Sequence, residues 1–315
     1  MKIFTPNSSI EHAERNSLLQ KSLRESAQCF SIESEYPIVL SRDGSRFSYC
    51  FRHENVLVAH ANLWPRVVTC SVTKQRWNIG LIGNVATDER FRGRGIMSNV
   101  LEHLKSVATD TNLSILILWS DLLEFYQKQG FRSFGEERRY IYTEDSLSKR
   151  HVDSPIKDVF YNKHEISSIS DVTLDTFMDL RPKTTLTIDR TTREFASLLR
   201  IPNLNVFSST DSNGRLYAFA ILGKGADMES VVHEWGADSA SDILNLLSFI
   251  LSDSDREAAM LLTPKELPKD LHKELNSFVS GKEQHPMALA WTHPALPKNE
   301  CRHLEKLFIW GLDSI

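Results

Sequence analysis

The sequence predicts an α/β (α+β) protein of two tandem units, each a mixed β-sheet flanked by helices. Three observations carry this. The chain has 315 residues, a length that divides into about two domains with ample core. Apolar runs of strand length alternate with segments whose apolar residues recur at helical spacing. The order of elements in residues 1–150 is then met again in residues 151–315, which points to one α/β unit used twice. Apolar content of 41% and charged content of 25% are ordinary for a globular protein.

In chain order, residues 8–27 read as a helix with Ala13, Leu18, Leu19 and Leu23 roughly on one side. Residues 30–40 are mixed, and Asp43-Gly44 is a turn signal. Strands follow at 47–51 and 56–63, the pattern continuing through 66–72, and residues 73–76 turn the chain into a central strand at 77–87. A basic turn comes next, Arg92-Gly93-Arg94-Gly95. The helix after it has Met97, Val100, Leu101, Leu104, Val107 and Ala108 apolar. A strand at 113–119, a short helix at 122–129 ended by Gly130, and a strand at 138–143 close the first unit. The polar stretch 146–155, with His151 to Pro155 at its heart, reads as the linker. In the second unit the helical patterns lie at about 164–180, 190–200, 242–251 and 267–279. Its strands lie at 204–208, 216–222, 231–235, 258–263 and 287–291, with a turn at Asp211 to Gly214.

The basic turn is the chemically pointed feature. Glycines let a backbone approach a ligand closely. A helix start offers unpaired N–H groups and partial positive charge, which suit an anion such as a pyrophosphate. Arg92 and Arg94 add side-chain charge. Several other classes are excluded or disfavoured. A net charge of −4 leaves no global basic field for nucleic acid. No run of about 18 apolar residues indicates a membrane span, and the N-terminal 17 residues are too polar for a signal peptide. Cys29, Cys50, Cys70 and Cys301 lie far apart with no C-x-x-C spacing, so no metal site is expected and reduced, cytoplasmic thiols are. Oligomeric state is not readable.

Thirty residues beyond the turn stands Phe125-Tyr126-Gln127-Lys128-Gln129-Gly130-Phe131. Together with Arg92-x-x-Gly95-x-Met97 it resembles the GNAT acyltransferase superfamily. That family carries an R/Q-x-x-G-x-G/A turn between its fourth strand and third helix, and FY-x-x-x-GF after its fifth strand. The match spans roughly residues 30–145. Met97 replaces the usual small residue, which loosens the backbone approach there; bulky residues at this point resemble the enhanced-intracellular-survival type, whose tandem units also fit the duplicated order seen here.

The resemblance implies a centrally splayed sheet, acetyl-CoA as co-substrate, and an amine acceptor, either a small molecule or a peptide. The pantetheine arm would lie in the splay between the fourth and fifth strands, its amides paired near Val85 and Thr87. The N–H groups of Gly93, Arg94, Gly95, Ile96, Met97 and Ser98, with Arg92, would hold the pyrophosphate, and Ser120 would hydrogen-bond the arm. A backbone N–H near Val85 would polarise the thioester carbonyl. Tyr126 is the expected general acid for the departing thiolate, with Phe125 and Phe131 expected in the core.

The base is open. Relatives use a carboxylate on the fourth strand, but residues 77–87 contain no Asp, Glu or His. Glu89 falls in the turn and reads as solvated, and His60 and His103 read as structural. The apolar tail, with Phe308, Ile309, Trp310 and Leu312, should be docked, since free termini are usually frayed and polar. In enhanced-intracellular-survival proteins and N-myristoyltransferases, which the tandem units resemble, the C-terminal carboxylate reaches the first unit's site as base. The expectation is therefore the carboxylate of Ile315, against a tail that only packs, with Asp313 next in line.

The second unit has lost the chemistry. At its equivalent turn it reads Glu234-Trp-Gly-Ala-Asp-Ser-Ala240, with one glycine, no arginine, and Glu234 and Asp238 to repel a diphosphate. Gly223-Lys224-Gly225 is not expected to bind phosphate. Asp227, Glu229, Glu234 and Asp238 read as solvated surface rather than as a site for a cationic acceptor. Two competing functions remain: a coenzyme-A-binding sensor without turnover, and an aminoacyl- or peptide-bond-forming transferase, which the acidic net charge disfavours. Longer acyl donors stay open.

Overall fold

The computed structural model describes residues 2–24, 30–150, 159–226, 228–253 and 256–315. Cys29, Asp227 and the linker core at 151–155 lie outside the described residues. The first half runs β1 (Lys2–Phe4), α1 (Ser9–Leu23), α2 (Ile32–Glu35), β2 (Ser48–His53), β3 (Val56–Cys70), β4 (Arg76–Thr87), α3 (Ile96–Asp110), β5 (Ile115–Leu118), α4 (Leu123–Lys128), β6 (Arg132–Phe134), β7 (Glu137–Tyr142) and α5 (Glu144–Ser148). The second runs β8 (Phe160–His164), α6 (Asp171–Leu180), β9 (Leu186–Ile188), α7 (Thr192–Leu198), β10 (Asn205–Thr210), β11 (Leu216–Leu222), β12 (Val231–Ala237), α8 (Ala240–Ser252), β13 (Ala259–Pro264), α9 (Lys269–Ser277), β14 (Gly281–His285), β15 (Ala288–Thr292) and α10 (Lys298–Leu304).

Two mixed sheets result, flanked by helices, as two units of one build require. The first has the order β1-β2-β3-β4-β5-β15-β6 with β9 added to β3, and the second has β14-β7-β13-β12-β11-β10-β8. Among the described residues each contains one parallel pair, and each of those pairs parts early. β4 meets β5 only over Ile79–Leu81 against Ile115–Ile117, then runs on to Thr87. β12 meets β13 only at Val231 and Val232, then continues to Ala237. Both sheets are therefore splayed at the centre.

The halves exchange strands. The segment at 138–143 was expected to close the first unit, but β7 lies between β13 and β14 of the second sheet. The segment at 287–291 was expected to complete the second unit, but β15 lies between β5 and β6 of the first. β5 is Ile-Leu-Ile-Leu, buried along its whole length. A strand of that kind must be flanked on both edges to pair its buried backbone, and β6, with three residues, is not placed to do so. One buried cluster consequently runs through both halves, joining Trp64, Leu81 and Ile117 to Tyr140, Trp235, Leu247 and Trp310. Among the described residues, no helix is long and apolar enough to cross a membrane.

Candidate functional site

The far end of β4 carries a bulge. His60 pairs with Ala86 and Asn62 pairs with Gly83, so β4 holds one residue more than β3 in this interval. Asn84 takes it up with a positive φ of 48°, a conformation asparagine tolerates better than most. A buried chain of hydrogen bonds keeps it there. His60 Nδ1 donates to the Asn84 carbonyl at 2.8 Å, and Asn84 Nδ2 donates to Asn62 Oδ1 at 3.1 Å. Asn62 Nδ2 donates to Ser48 Oγ at 3.1 Å, and Arg15 donates to the same hydroxyl at 3.2 Å. Burial pushes His60 down to about 3, so the ring is neutral with its proton on Nδ1. Bulges re-aim the chain beside functional sites, and this one lies where β4 has left β5. The bulge escaped the sequence reading; its one trace there is Asn84, a polar residue late in an apolar strand.

After β4 the chain makes the basic turn. Gly93 and Gly95 have φ of 75° and 72°, and a Cβ at either would meet no protein atom within 4 Å. Glycine is thus needed for the turn's conformation, and its backbone faces open space. Gly95 is the N-cap of α3 and brings no side-chain hydrogen bond to it, so the first N–H groups stay available to an anion. The matching helix of the second unit differs: at α8 the Ser239 side chain accepts from Asp242 N, as an ordinary capped helix does.

A cavity of about 640 Å³ opens between this turn and α4. Val85, Thr87, Arg92, Gly93, Gly95, Ile96, Met97, Ser98 and Tyr126 all line it, along with Ser22, Leu23, Phe91, Leu122 and Phe125. Arg94, Ser120 and Ile315 are not among the lining residues. Arg94 lies over the Phe91 ring at 5.2 Å, and Arg92 Nε donates to the Thr87 carbonyl at 3.2 Å. Phe125, expected in the core, is a partly exposed wall of the cavity; Phe131 is buried as expected. Tyr126 is 5% exposed. Burial pushes its phenol up to about 12, with the Ser120 hydroxyl pulling the other way. Ser120 therefore acts on the Tyr126 phenol, which keeps its proton at neutral pH.

The tail is docked. Leu307, Phe308, Ile309, Trp310 and Leu312 are all buried, and Ile315 lies against β4. A Cβ at Gly83 would overlap the carbonyl carbon and oxygen of Ile315, so the Ile315 main chain rests on the strand just before the bulge. Asp313 is otherwise engaged. It accepts from Arg190 at 2.6 and 3.1 Å, and Arg190 also donates to both oxygens of Glu234 at 2.8 Å. Burial disfavours charge on Asp313, yet Arg190 and Arg66 hold its carboxyl below the usual range. An acid locked this way is a poor proton acceptor. Glu234, expected at the surface, is fully buried in this cluster and also bound by Arg181 at 3.2 Å. Asp238 pairs with Arg215 at 2.8 Å, Glu89 is exposed and pairs with Lys21 at 2.7 Å, and His103 packs edge-on against Tyr49 and Phe51.

The model of the acetyltransferase (GNAT) family matches residues 13–131. Those residues form a GNAT-family domain. No curated protein matches the chain, but solved structures align with nearly all of it. A probable N-acyltransferase from Enterococcus faecalis does so at 16% identity with a TM-score of 0.68, over 92% of this chain and 72% of the other. Eis1 from Mycobacterium abscessus aligns at 12% identity with a TM-score of 0.59, over 93% and 74%. The Saccharomyces cerevisiae N-myristoyltransferase with bound myristoyl-CoA aligns at 8% identity with a TM-score of 0.54, over 92% and 82%. The GNAT fold is one that supports acyl transfer, and the glycine turn, the α3 N-terminus and Tyr126 all lie within the matched GNAT residues. Among the described residues, no group of three or more His, Cys, Asp or Glu is placed to hold a metal ion.

Proposed function

We propose that the protein is an N-acetyltransferase that moves the acetyl group of acetyl-CoA to an amine, on a small molecule or a peptide, in the cytoplasm. Residues 1–150, less the exchanged strand β7 and with β15 taken in, form the unit bearing the donor site, and the rest of residues 151–315 form a degenerate unit that supplies the docked tail. The observation that carries this reading is the single cavity that joins the uncapped α3 N-terminus to the Tyr126 phenol across the parted end of β4.

In this reading the N–H groups of Gly93 to Ser98, with Arg92, bind the diphosphate of the coenzyme. Main-chain groups of Val85 and Thr87 align the pantetheine arm, and an N–H near Val85 stabilises the oxyanion. The acceptor nitrogen attacks the thioester carbonyl carbon. The Ile315 carboxylate takes the amine proton, the C–S bond breaks, and the Tyr126 phenol protonates the departing thiolate. Ile315 stands against Gly83, and no other carboxylate, and no histidine but His60, is found on that length of β3 and β4. His60 is held neutral and spent on Asn84.

The test is calorimetry with acetyl-CoA followed by thiol release across a panel of amines, including aminoglycosides, polyamines and peptide N-termini. Saturable binding with turnover on some amine is expected. Absence of heat and of any melting shift would end the proposal, and binding without turnover on any amine would convert the protein to a coenzyme sensor.

A further inference from the structure

We propose that Lys224 is the positioning residue that seats the C-terminal carboxylate on Gly83. The inference rests on the reading of Ile315 as base and adds what holds it. Lys224 stands in the turn after β11, in the half of the chain that lacks the donor site. Its Nζ donates to the Gly311 carbonyl at 2.7 Å, the Ser314 carbonyl at 2.6 Å and the Ser314 hydroxyl at 2.9 Å, and burial pushes the group down to about 7 against the pull of Asp313 and Glu35. Three acceptors match the three donors of an ammonium. Two of them are the main-chain oxygens that bracket the last turn of the tail, and the later one belongs to the residue joined to Ile315.

The clamp is itself fixed to the first half. Ala226 N donates to Glu35 Oε2 at 3.1 Å, and Glu35 pairs with Arg24 at 2.7 Å. Gly225 N donates to the Pro202 carbonyl at 2.8 Å. A Cβ at Gly225 would overlap the Glu35 carboxylate, so only glycine lets the turn come this close to α2. The Lys224 ammonium is thereby referenced to the same body that carries β4. Arg190 fixes the tail once, through the Asp313 side chain; Lys224 fixes it again at the main chain, beyond Asp313. The surroundings are dry, with Val39, Trp64 and Leu312 nearly or fully buried beside the tail. Without the lysine the two carbonyls would lose their charged donor in an apolar setting, and the end of the chain would open.

The experiment measures the tail directly. The full-length protein and its Lys224→Met variant are exposed to carboxypeptidase Y, and release of Ile315 is followed by mass spectrometry. Acetyl-CoA affinity is measured by calorimetry, and kcat and KM with the best amine of the panel. Release is expected to be about tenfold faster in Lys224→Met, as loss of a charged hydrogen-bond donor implies. The kcat should fall, with acetyl-CoA affinity and donor KM kept. Lys224→Arg, which retains charge and donors, should recover protection and turnover in part. Equal protection of Ile315 in wild type and Lys224→Met would overturn the proposal. Faster release with unchanged kcat would sink the base assignment instead, and with it the catalytic meaning of the seat. Should Lys224→Met not fold, Lys224→Gln keeps two N–H donors on a shorter stem and is read by the same measurements.

Discussion

Tyr126 holds a proton that is hard to lose, because burial raises its phenol to about 12. The group therefore arrives protonated, able to donate a hydrogen bond to the sulfur as the C–S bond breaks and to pass its proton to the departing thiolate. In Tyr126→Phe the ring and its edge contact with Phe131 persist while the proton is gone. The expected outcome is a kcat lower by about 10²-fold or more with acetyl-CoA affinity kept, measured by steady-state kinetics and calorimetry. A residue that merely packed beside the coenzyme would leave kcat as well as affinity unchanged in this variant. Gly83 poses the complementary test on the base side. Its missing Cβ makes room for the Ile315 carboxyl, so Gly83→Ala must displace one or the other. A shift of this size at a reacting group costs on the order of 10²-fold in rate. Turnover should drop accordingly while the donor still binds, and an unimpaired Gly83→Ala enzyme would show that the carboxylate has no part in the chemistry.

At the scale of elements, the two helices that follow β4 and β12 have the same place and opposite endings. Gly95→Ala in α3 forces a left-handed φ on a residue with a Cβ, at a cost of about 1 kcal/mol. It should lower the urea midpoint and weaken acetyl-CoA binding together. Ser239→Ala in α8 removes a cap, also at about 1 kcal/mol, and should leave acetyl-CoA affinity untouched; a loss of affinity there would bring the second unit's turn into the donor site. The turn, α3 and the Tyr126 segment were legible because each is written locally, in glycine placement or helical period. β4 was expected at 77–87 and found at Arg76–Thr87 for the same reason. Strand partners are not written locally. β7 and β15 were recognised as strands, but nothing in their alternation says which sheet will take them, and they cross over. The Asp313–Arg190–Glu234 cluster was invisible on similar grounds, since its members lie 44 and 123 positions apart.

The whole molecule folds around polar groups that tolerate charge unequally. His60 in the first half and His233 in the second are both buried, and burial pushes each down to about 3. In the unfolded chain each would titrate near 6.5, the ordinary value for the group. The folded state therefore binds fewer protons than the unfolded state between these limits. Stability from both residues is complete above about pH 6.5 and is lost as pH falls toward 3. Asp313 adds to the loss at the acid end: its carboxyl is held below 3.8, so its contribution stands above that value and fades beneath it. Because one core cluster spans both halves, unfolding is expected as a single transition whose urea midpoint falls steadily from pH 7 to pH 4. Replacing His60 by Gln removes one titrating group and should flatten that slope, whatever it does to stability at pH 7. A midpoint independent of pH over this range would mean that the two imidazoles are not shielded from water. Two separate transitions would mean that the exchanged strands β7 and β15 do not bind the halves into one cooperative body.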